Sequence, residues 1–434
     1  MKLLFISPGT GSYHCGVCMK DNALVNELRA KGHDAVMLPM YLPHVLDESP
    51  ADKDQPIFFG GINAYLQLKY SFFRHVPKWL DKMLDSQPLL GKVSKAQKGS
   101  MTAGKEVSQM ALSTFQGIDG PLAKEFKHLV EWVVDKEKPD AIFLSTAMQV
   151  GLAPAIKAQA DIPIYCSFQG EDTFLDSLIE PWKSQVWELM REASKHVERY
   201  ITPSRAFGKL MSEPLGLPDS QVVQIPNGIN LEGFQPRENP LPTPVIGFLA
   251  RLSHLKGLDI LVDAFILLHR RSKVPKETRL QVAGTTLPDD QKFIDQQIHK
   301  LHHAGLHDNY SFRQNLTREE KIEHLNGLSL LSVPTRYPEA FGLYTIEALA
   351  TCVPIIQPHH GAFPEIIEDT EGGATYQPNT PEALADALEP WVNNPDLCHQ
   401  TGNRAQKHIQ KNYSIQHHAE LILQTCQPTP TPAP

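Results

Sequence analysis

The chain has 434 residues, of which 41% are hydrophobic and 21% charged, with a formal net charge of −8. That balance excludes disordered and fibrous classes, and the length exceeds what one core usually fills, so two compact domains of about 200 residues each are expected. No long Lys/Arg block is present, which argues against a nucleic-acid partner and makes any anion site local.

The chain opens on a β-rich run, residues 3–7, whose apolar stretch is too short for a signal peptide and is stopped by Pro8 and Gly9. No other apolar run reaches the ~18 residues of a spanning helix, and a cytoplasmic protein is expected. A glycine-containing loop follows, then an amphipathic helix through about Lys31, ended by Gly32, and a second strand over 34–38. The loop glycines Gly9, Gly11 and Gly16 suit close approach of backbone to a phosphate or sugar. Their spacing is not G-x-G-x-x-G, and a tight surface turn accounts for the same residues.

Between about 43 and 120 the β/α alternation is lost. Residues 70–82 mix bases with aromatics, which suits acceptor-binding helices or contact with a membrane surface, and also helices packed on a sheet edge with solvated bases. Alternation resumes with a helix near 123–136 and strands near 141–145, 163–168, 200–201 and 222–225. Turn formers from Pro226 through Asn227 and Gly228, and the prolines of 236–244, mark a boundary. A second α/β series has strands near 245–249, 280–283, 328–333 and 354–357, closed by helices near 381–392 and 397–412. The Pro/Thr-rich residues 427–434 read as a disordered tail.

Six cysteines in a large chain without a secretory signal read as reduced thiols. Cys15 and Cys18 form a C-x-x-C, suited to redox chemistry or to half a zinc site; without a second C-x-x-C a zinc ion would have to recruit scattered histidines.

The most informative segment is 336–349, where Glu339, Phe341, Gly342, Leu343, Tyr344 and Glu347 follow a buried strand and a helix opens at about Gly342. Ligands of open α/β sheets gather at the carboxyl ends of strands, and a helix N-terminus offers N–H groups to a phosphate. Helical side chains lean toward the N-terminus, so Glu347 can reach a ligand over the first turn. Two carboxylates would repel a diphosphate, so their partners are sugar or ribose hydroxyls; read alone, Glu347 could equally be a surface helix residue and Glu339 a loop charge. In a second segment, 247–257, Arg251 and Lys256 flank a strand-to-helix loop, and both can point into one crevice. Such cations suit a diphosphate leaving group, on which negative charge builds as a glycosidic bond breaks. A solvated loop pair is the plainer account.

Taken together, these segments resemble glycosyltransferase family 4, the retaining GT-B glycosyl transferases group 1. The match lies in the E-x7-E spacing of Glu339 and Glu347 around Phe341, Gly342 and Leu343, in Arg251 with Lys256, in the Asn227-Gly228 turn, in Gly361 through Glu365, and in residues 26–33. The resemblance implies an α/β GT-B fold, two Rossmann-like domains with parallel sheets facing a central cleft. The expected domains are an N-terminal acceptor domain, 1–223, with a helical insertion about 43–120, and a C-terminal donor domain, 224–404. A C-terminal helix, 405–426, would pack back on the N-terminal domain. It also implies a hexosyltransferase of glycan biosynthesis that moves a sugar from a nucleotide-sugar donor, a UDP- or GDP-sugar, with retention and no obligatory cofactor or metal.

By the same resemblance Arg251 and Lys256 hold the donor phosphates, Glu347 the ribose, and Glu339 with the backbone of Phe341, Gly342 and Leu343 the transferred sugar. Tyr344 joins the donor side, and Gly16 lies near the donor phosphate. His14, Gln169 and Asp172 fall on the acceptor or sugar side, the acceptor being a saccharide, lipid-linked or small molecule, with peripheral contact at the inner face of the membrane. Where many members carry a His, this chain has Gln169, which hydrogen-bonds but carries no charge near neutral pH; Glu171 and Asp172 face the acceptor, or Asp172 caps a helix. Competing functions are a nucleotide-sugar epimerase of the same fold, a non-catalytic sugar-nucleotide or glycan binder, and thiol redox through Cys15 and Cys18.

Overall fold

The computed structural model describes residues 1–9, 15–52, 55–59, 67, 70, 72, 104–237 and 239–426. His14, most of the expected insertion, most of the aromatic and basic stretch 70–82, and the tail 427–434 lie outside the described residues. The chain divides into two units, one formed by Met1–Pro226 with the residues from His418 on, the other by Asn227–His417.

In the first unit the strands are β1 (Lys2–Ser7), β2 (Asp34–Pro39), β3 (Ala141–Leu144), β4 (Ile164–Ser167), β5 (Arg199–Thr202) and β6 (Val222–Gln224). All pair in parallel, in the order β2-β1-β3-β4-β5-β6. Parallel strands are covered on both faces, which is why β1 and β3 read as unbroken apolar runs instead of alternating. Helix α1 (Gly16–Ala30) connects β1 to β2 and buries Leu24, Val25 and Leu28.

The second unit repeats the architecture with β7 (Val245–Leu249), β8 (Arg279–Gly284), β9 (Tyr310–Gln314), β10 (Leu330–Leu331), β11 (Ile355–Pro358) and β12 (Gly373–Tyr376). Their order is β12-β11-β10-β7-β8-β9, again parallel. Counted from β7, this is the doubly wound order in which the direction of winding reverses between the first and fourth strands. Helices α2 (Leu258–Arg270), α3 (Gln291–His303), α4 (Arg318–Asn326), α5 (Leu343–Ala350) and α6 (Phe363–Thr370) fill the five connections, and α7 (Pro381–Val392) follows β12. Sequence reading located neither β9 nor β12. Both are edge strands, half-buried over most of their length, so neither carries an apolar run.

A single C-terminal helix over 405–426 is not what forms. Helix α8 (Pro395–Asn412) stops, and α9 (Ile415–Thr425) starts anew. Between them Tyr413 and Ser414 leave helical geometry to meet the backbone of Ile229: its N–H donates to the Tyr413 carbonyl at 3.0 Å, and its carbonyl accepts from Ile415 at 2.8 Å. From His418 the chain belongs to the first unit, where His418 Nδ1 lies 2.8 Å from the Pro226 carbonyl and Glu420 accepts from Lys31 at 3.1 Å.

The segment leaving β7 runs tightly beside the end of β8. Leu252 donates to the Thr285 carbonyl at 3.0 Å, and a Cβ on Gly284 would overlap the Ala250 carbonyl oxygen. Gly284→Ala must therefore displace the backbone that carries Arg251. Overpacking of this kind costs about 1–3 kcal/mol, and a urea melt is expected to show the loss with an unchanged m-value; a midpoint equal to wild type would show that the two segments can separate freely.

Candidate functional site

The reversal of winding in the second unit falls between β7 and β10, so the segments leaving their carboxyl ends diverge and open a crevice. From β7 comes the turn His254–Lys256; from β10 comes the loop carrying Arg336, Tyr337 and Glu339, which ends at α5. Backbone chemistry laces the two together. Arg336 donates its N–H to the Leu255 carbonyl at 2.9 Å and its guanidinium to both carboxylate oxygens of Asp259 at 2.8 and 2.7 Å. Gly257 sits at φ 74°, and a Cβ there would overlap the Pro334 carbonyl, so only glycine permits both the left-handed turn and the close approach.

At the centre, Lys256 Nζ lies 2.5 Å from Glu339 Oε2. The ammonium also lies 5.0 Å from the ring centre of Tyr337 and 5.6 Å from that of Tyr344, where each ring's quadrupole attracts it. Tyr344 OH donates to the same Glu339 oxygen at 3.1 Å. Burial alone would depress the Lys256 pKa; the Glu339 charge, joined by Tyr337, outweighs it and holds the value above the ordinary one. Burial, reinforced by Glu339, pushes the Tyr344 phenol well up, so it stays a neutral donor.

A third loop, after β11, braces Glu339 from behind. Ala362 donates to the Glu339 carbonyl at 2.9 Å, and His360 Nε2 lies 3.0 Å from the Thr335 carbonyl. That contact makes Nε2 the protonated nitrogen of a neutral ring, consistent with a pKa that burial lowers.

Helix α5 begins where the sequence places it. Gly342 is its N-cap at φ 80°, and Leu343 and Tyr344 head the helix, where backbone N–H groups lack intrahelical acceptors. Phe341 is buried and packs its ring 6.2 Å from that of Tyr413, so its side chain belongs to the core. Glu347 pairs with Lys321 of α4 at 2.7 Å, both mostly buried. Arg251 donates to the two oxygens of Asp290 at 3.0 and 3.1 Å, and Asp290 also accepts the Leu287 N–H at 2.8 Å. Each proposed phosphate cation thus rests on its own carboxylate instead of standing unpaired in one crevice. Lys321, Asp290, Asp259 and His360 carried no signal in the sequence, since each is a single ordinary residue far along the chain from its partner.

In the first unit, Gly16 opens α1 and Gln169 follows β4. Asp172 is not a helix cap: the N-cap of Asp172–Ser177 is Glu171, and Asp172 is the first helical residue. The Glu171 carboxylate accepts from Thr146 Oγ1 at 2.6 Å, Ala147 N at 2.8 Å, Gln169 N at 2.8 Å and Gly170 N at 3.0 Å. With four donors on a buried carboxylate, Glu171 ties together the segments following β3 and β4 and has no face left for a ligand. Asp172 is half-buried, and desolvation raises its pKa.

A basic turn, an acidic loop and a helix N-terminus thus meet at the winding reversal, where open doubly wound sheets collect their ligands. The chain belongs to the GT-B glycosyltransferases of group 1 and family 4: residues 232–408 match the model of glycosyl transferases group 1, and 114–232 that of glycosyltransferase family 4. It is 29% identical over 209 residues to the lipopolysaccharide core biosynthesis mannosyltransferase LpcC of Rhizobium leguminosarum bv. viciae, covering 46% of this chain and 57% of that protein. It is 23% identical over 255 residues to the D-inositol 3-phosphate glycosyltransferase of Nocardia farcinica, covering 57% and 55% respectively. The chain spans about half the length of the curated relatives it matches. Among solved structures, Anabaena HepE in complex with UDP superposes with TM-score 0.67 at 15% identity, over 98% of this chain and 99% of that one. Sucrose-phosphate synthase from Thermosynechococcus elongatus gives 0.69 at 16%, over 98% of each. At such identities these likenesses show the two-domain α/β fold alone.

Removing one member of the central pair strands the other. Lys256→Met is expected to destabilise the second unit by about 1–3 kcal/mol because Glu339 keeps its burial without its cation, and Lys256→Met with Glu339→Gln is expected to recover most of that loss. Lys256 has a folded pKa above its unfolded one, so its contribution is fully present below about pH 10.4 and is lost as pH rises through the higher folded value. Urea melts from pH 7 to 11 should therefore show wild type losing its advantage over Lys256→Met only at the alkaline end. A constant difference across the range would remove the pair from the stability argument.

Proposed function

We propose that this protein is a retaining glycosyltransferase that moves a hexose from a nucleotide-sugar donor to an acceptor hydroxyl. The observation that carries this reading is the Lys256–Glu339 pair at the winding reversal, beside the N-terminus of α5. A diphosphate leaving group needs fixed cations where charge develops, and Lys256 and Arg251 supply them. Glu339 accepts hydrogen bonds from hydroxyls of the transferred sugar, with the backbone of Phe341, Gly342 and Leu343 beside it; Tyr344 orients the carboxylate. Glu347, its carboxylate steadied by Lys321, accepts from the ribose hydroxyls, and Gly16 approaches the donor phosphate.

In the step itself the bond between the anomeric carbon and the phosphate oxygen breaks, and its electron pair goes to that oxygen. The acceptor oxygen then bonds to the anomeric carbon on the same face, and its proton passes to the leaving phosphate, so no protein base and no metal is required. Gln169 and Asp172 serve the acceptor or sugar side, with Gln169 acting as a neutral hydrogen-bonding group. HepE was solved with UDP and with UDP-glucose, and the relatives are named as mannosyl- and inositol-phosphate glycosyltransferases, which supports a nucleotide-sugar donor and a saccharide or small-molecule acceptor; we take the donor as a UDP- or GDP-sugar and extend the acceptor to lipid-linked saccharides. Among the described residues no helix is long and apolar enough to cross a membrane; we place the enzyme in the cytoplasm, with peripheral contact at the inner face of the membrane as the route to a lipid-linked acceptor.

A thermal-shift panel with UDP, GDP, ADP and their sugar conjugates tests the donor site, since a ligand at about 100 times its dissociation constant stabilises the native state by roughly 2.7 kcal/mol. One nucleotide class is expected to shift the protein, and the reduced protein with that donor should slowly release free sugar to water. Glu339→Ala should lose turnover by about 100-fold or more while keeping the nucleotide shift, and Glu347→Ala should lose most of the shift. Binding without any hydrolysis or transfer would favour a non-catalytic binder, and unaltered kinetics in both variants would sink the site assignment.

A further inference from the structure

The C-x-x-C of the first unit takes no part in the chemistry above, yet its geometry is asymmetric in a way that has consequences. Cys15 is the N-cap of α1, in extended conformation and partly exposed, while Cys18 stands three residues on, in the first turn, and is fully buried. Cys15 and Cys18 thus occupy the N-cap and the third helical position of one turn, three residues apart on the same face of α1. The Cys18 thiol acts on Cys15 as a hydrogen-bond donor; this is the main reason the Cys15 pKa is lowered to about 7, with help from backbone N–H groups of Val17 and Cys18 and against burial and the Asp21 charge. Cys18 moves the other way, raised by the same hydrogen bond and by burial. Asp21 is itself paired with Lys20 at 2.8 Å, which blunts its field. The remaining cysteines differ: burial raises Cys166, Cys352, Cys398 and Cys426.

A partly exposed thiol ionised near neutrality beside a buried, protonated one is the arrangement of an attacking and a resolving cysteine. We propose that Cys15 and Cys18 form a redox-responsive dithiol that reacts with oxidants of the hydroperoxide class. The Cys15 thiolate attacks the distal peroxide oxygen, the O–O bond breaks, and the leaving alkoxide or hydroxide takes a proton, leaving a sulfenic acid on Cys15. Cys18 sulfur then displaces that hydroxyl as water, and the S–S bond closes. Two thiols and one hydroperoxide give one disulfide, one alcohol (or water) and one water. The cross-link spans Gly16, clamping the turn whose backbone meets the donor phosphate under the transferase reading, so oxidation is expected to weaken nucleotide binding; that consequence, unlike the thiol chemistry, rests on that reading.

The test uses the full chain, reduced and then treated with hydrogen peroxide at neutral pH. Peptide mapping without reduction should find a Cys15–Cys18 disulfide, and limited iodoacetamide labelling of the reduced protein should modify Cys15 at least about ten times faster than any other cysteine. In Cys18→Ser the sulfenic acid should persist on Cys15 and be trapped by dimedone; Cys15→Ser should give neither product. Absence of the disulfide from oxidised wild type, or fastest labelling at another cysteine, overturns the proposal whatever the variants do. A UDP or GDP thermal shift seen in reduced protein and abolished by oxidation supports the coupling to the site, and equal shifts in both states overturn the coupling. If neither state shifts, the donor-site reading fails while mapping and labelling still decide the dithiol.

Discussion

Two parallel strands that wind away from each other leave a crevice at their carboxyl ends, and the second unit is arranged around the one between β7 and β10. The Lys256–Glu339 pair closes the floor of that crevice, with one partner supplied from each side. Everything nearby keeps those two charges within reach. Gly257 lets its turn press on Pro334, Arg336 stitches the β10 loop to the turn and to Asp259, and Ala362 holds the Glu339 backbone from behind. A pair this buried gains Coulomb energy only because its geometry is fixed and its remaining valences are met, and the tyrosines at 337 and 344 do the latter with a ring face and a hydroxyl.

The same rule holds for three further cations of the second unit. Arg251 rests on Asp290, Arg336 on Asp259 and Lys321 on Glu347. Each cation has a carboxylate, so the crevice is locally near neutral before any anion arrives. Under the transferase reading a diphosphate must therefore share Lys256 and Arg251 with acids already holding them, and the sugar hydroxyls that meet Glu339 compensate as donors. Binding then discriminates for the whole donor over bare phosphate, because phosphate alone competes with Glu339 and Asp290 and gives them nothing in return.

Much of this was legible from the amino-acid sequence. The apolar runs of β1, β3, β7 and β11 announce parallel strands, and Gly342 followed by Leu343, Tyr344 and Glu347 announces a helix entered through a glycine. The spacing of Glu339 and Glu347 with Arg251 and Lys256 carried the family, to which the chain belongs. What stayed hidden is of two kinds. The edge strands β9 and β12 lack the apolar run because one side of each is open. The partners Asp290, Lys321 and His360 are set by tertiary approach, which local pattern does not encode: Lys321 looks like a solvated residue in a strongly charged helix, and becomes specific only when α4 is brought beside α5.

In the first unit Glu171 spends both oxygens on four donors and fixes the segments after β3 and β4, so it shapes the surface without presenting charge there. Beside it stand Gln169, which cannot ionise, and Asp172, whose half-buried carboxyl is shifted toward its neutral form by desolvation. Under the transferase reading such a surface meets acceptor hydroxyl groups by hydrogen bonding and leaves the acceptor oxygen without a strongly basic neighbour. That is the complement of a mechanism in which the leaving phosphate takes the proton: the unit proposed to hold the acceptor supplies position, and the unit proposed to hold the donor supplies both the charge and the base.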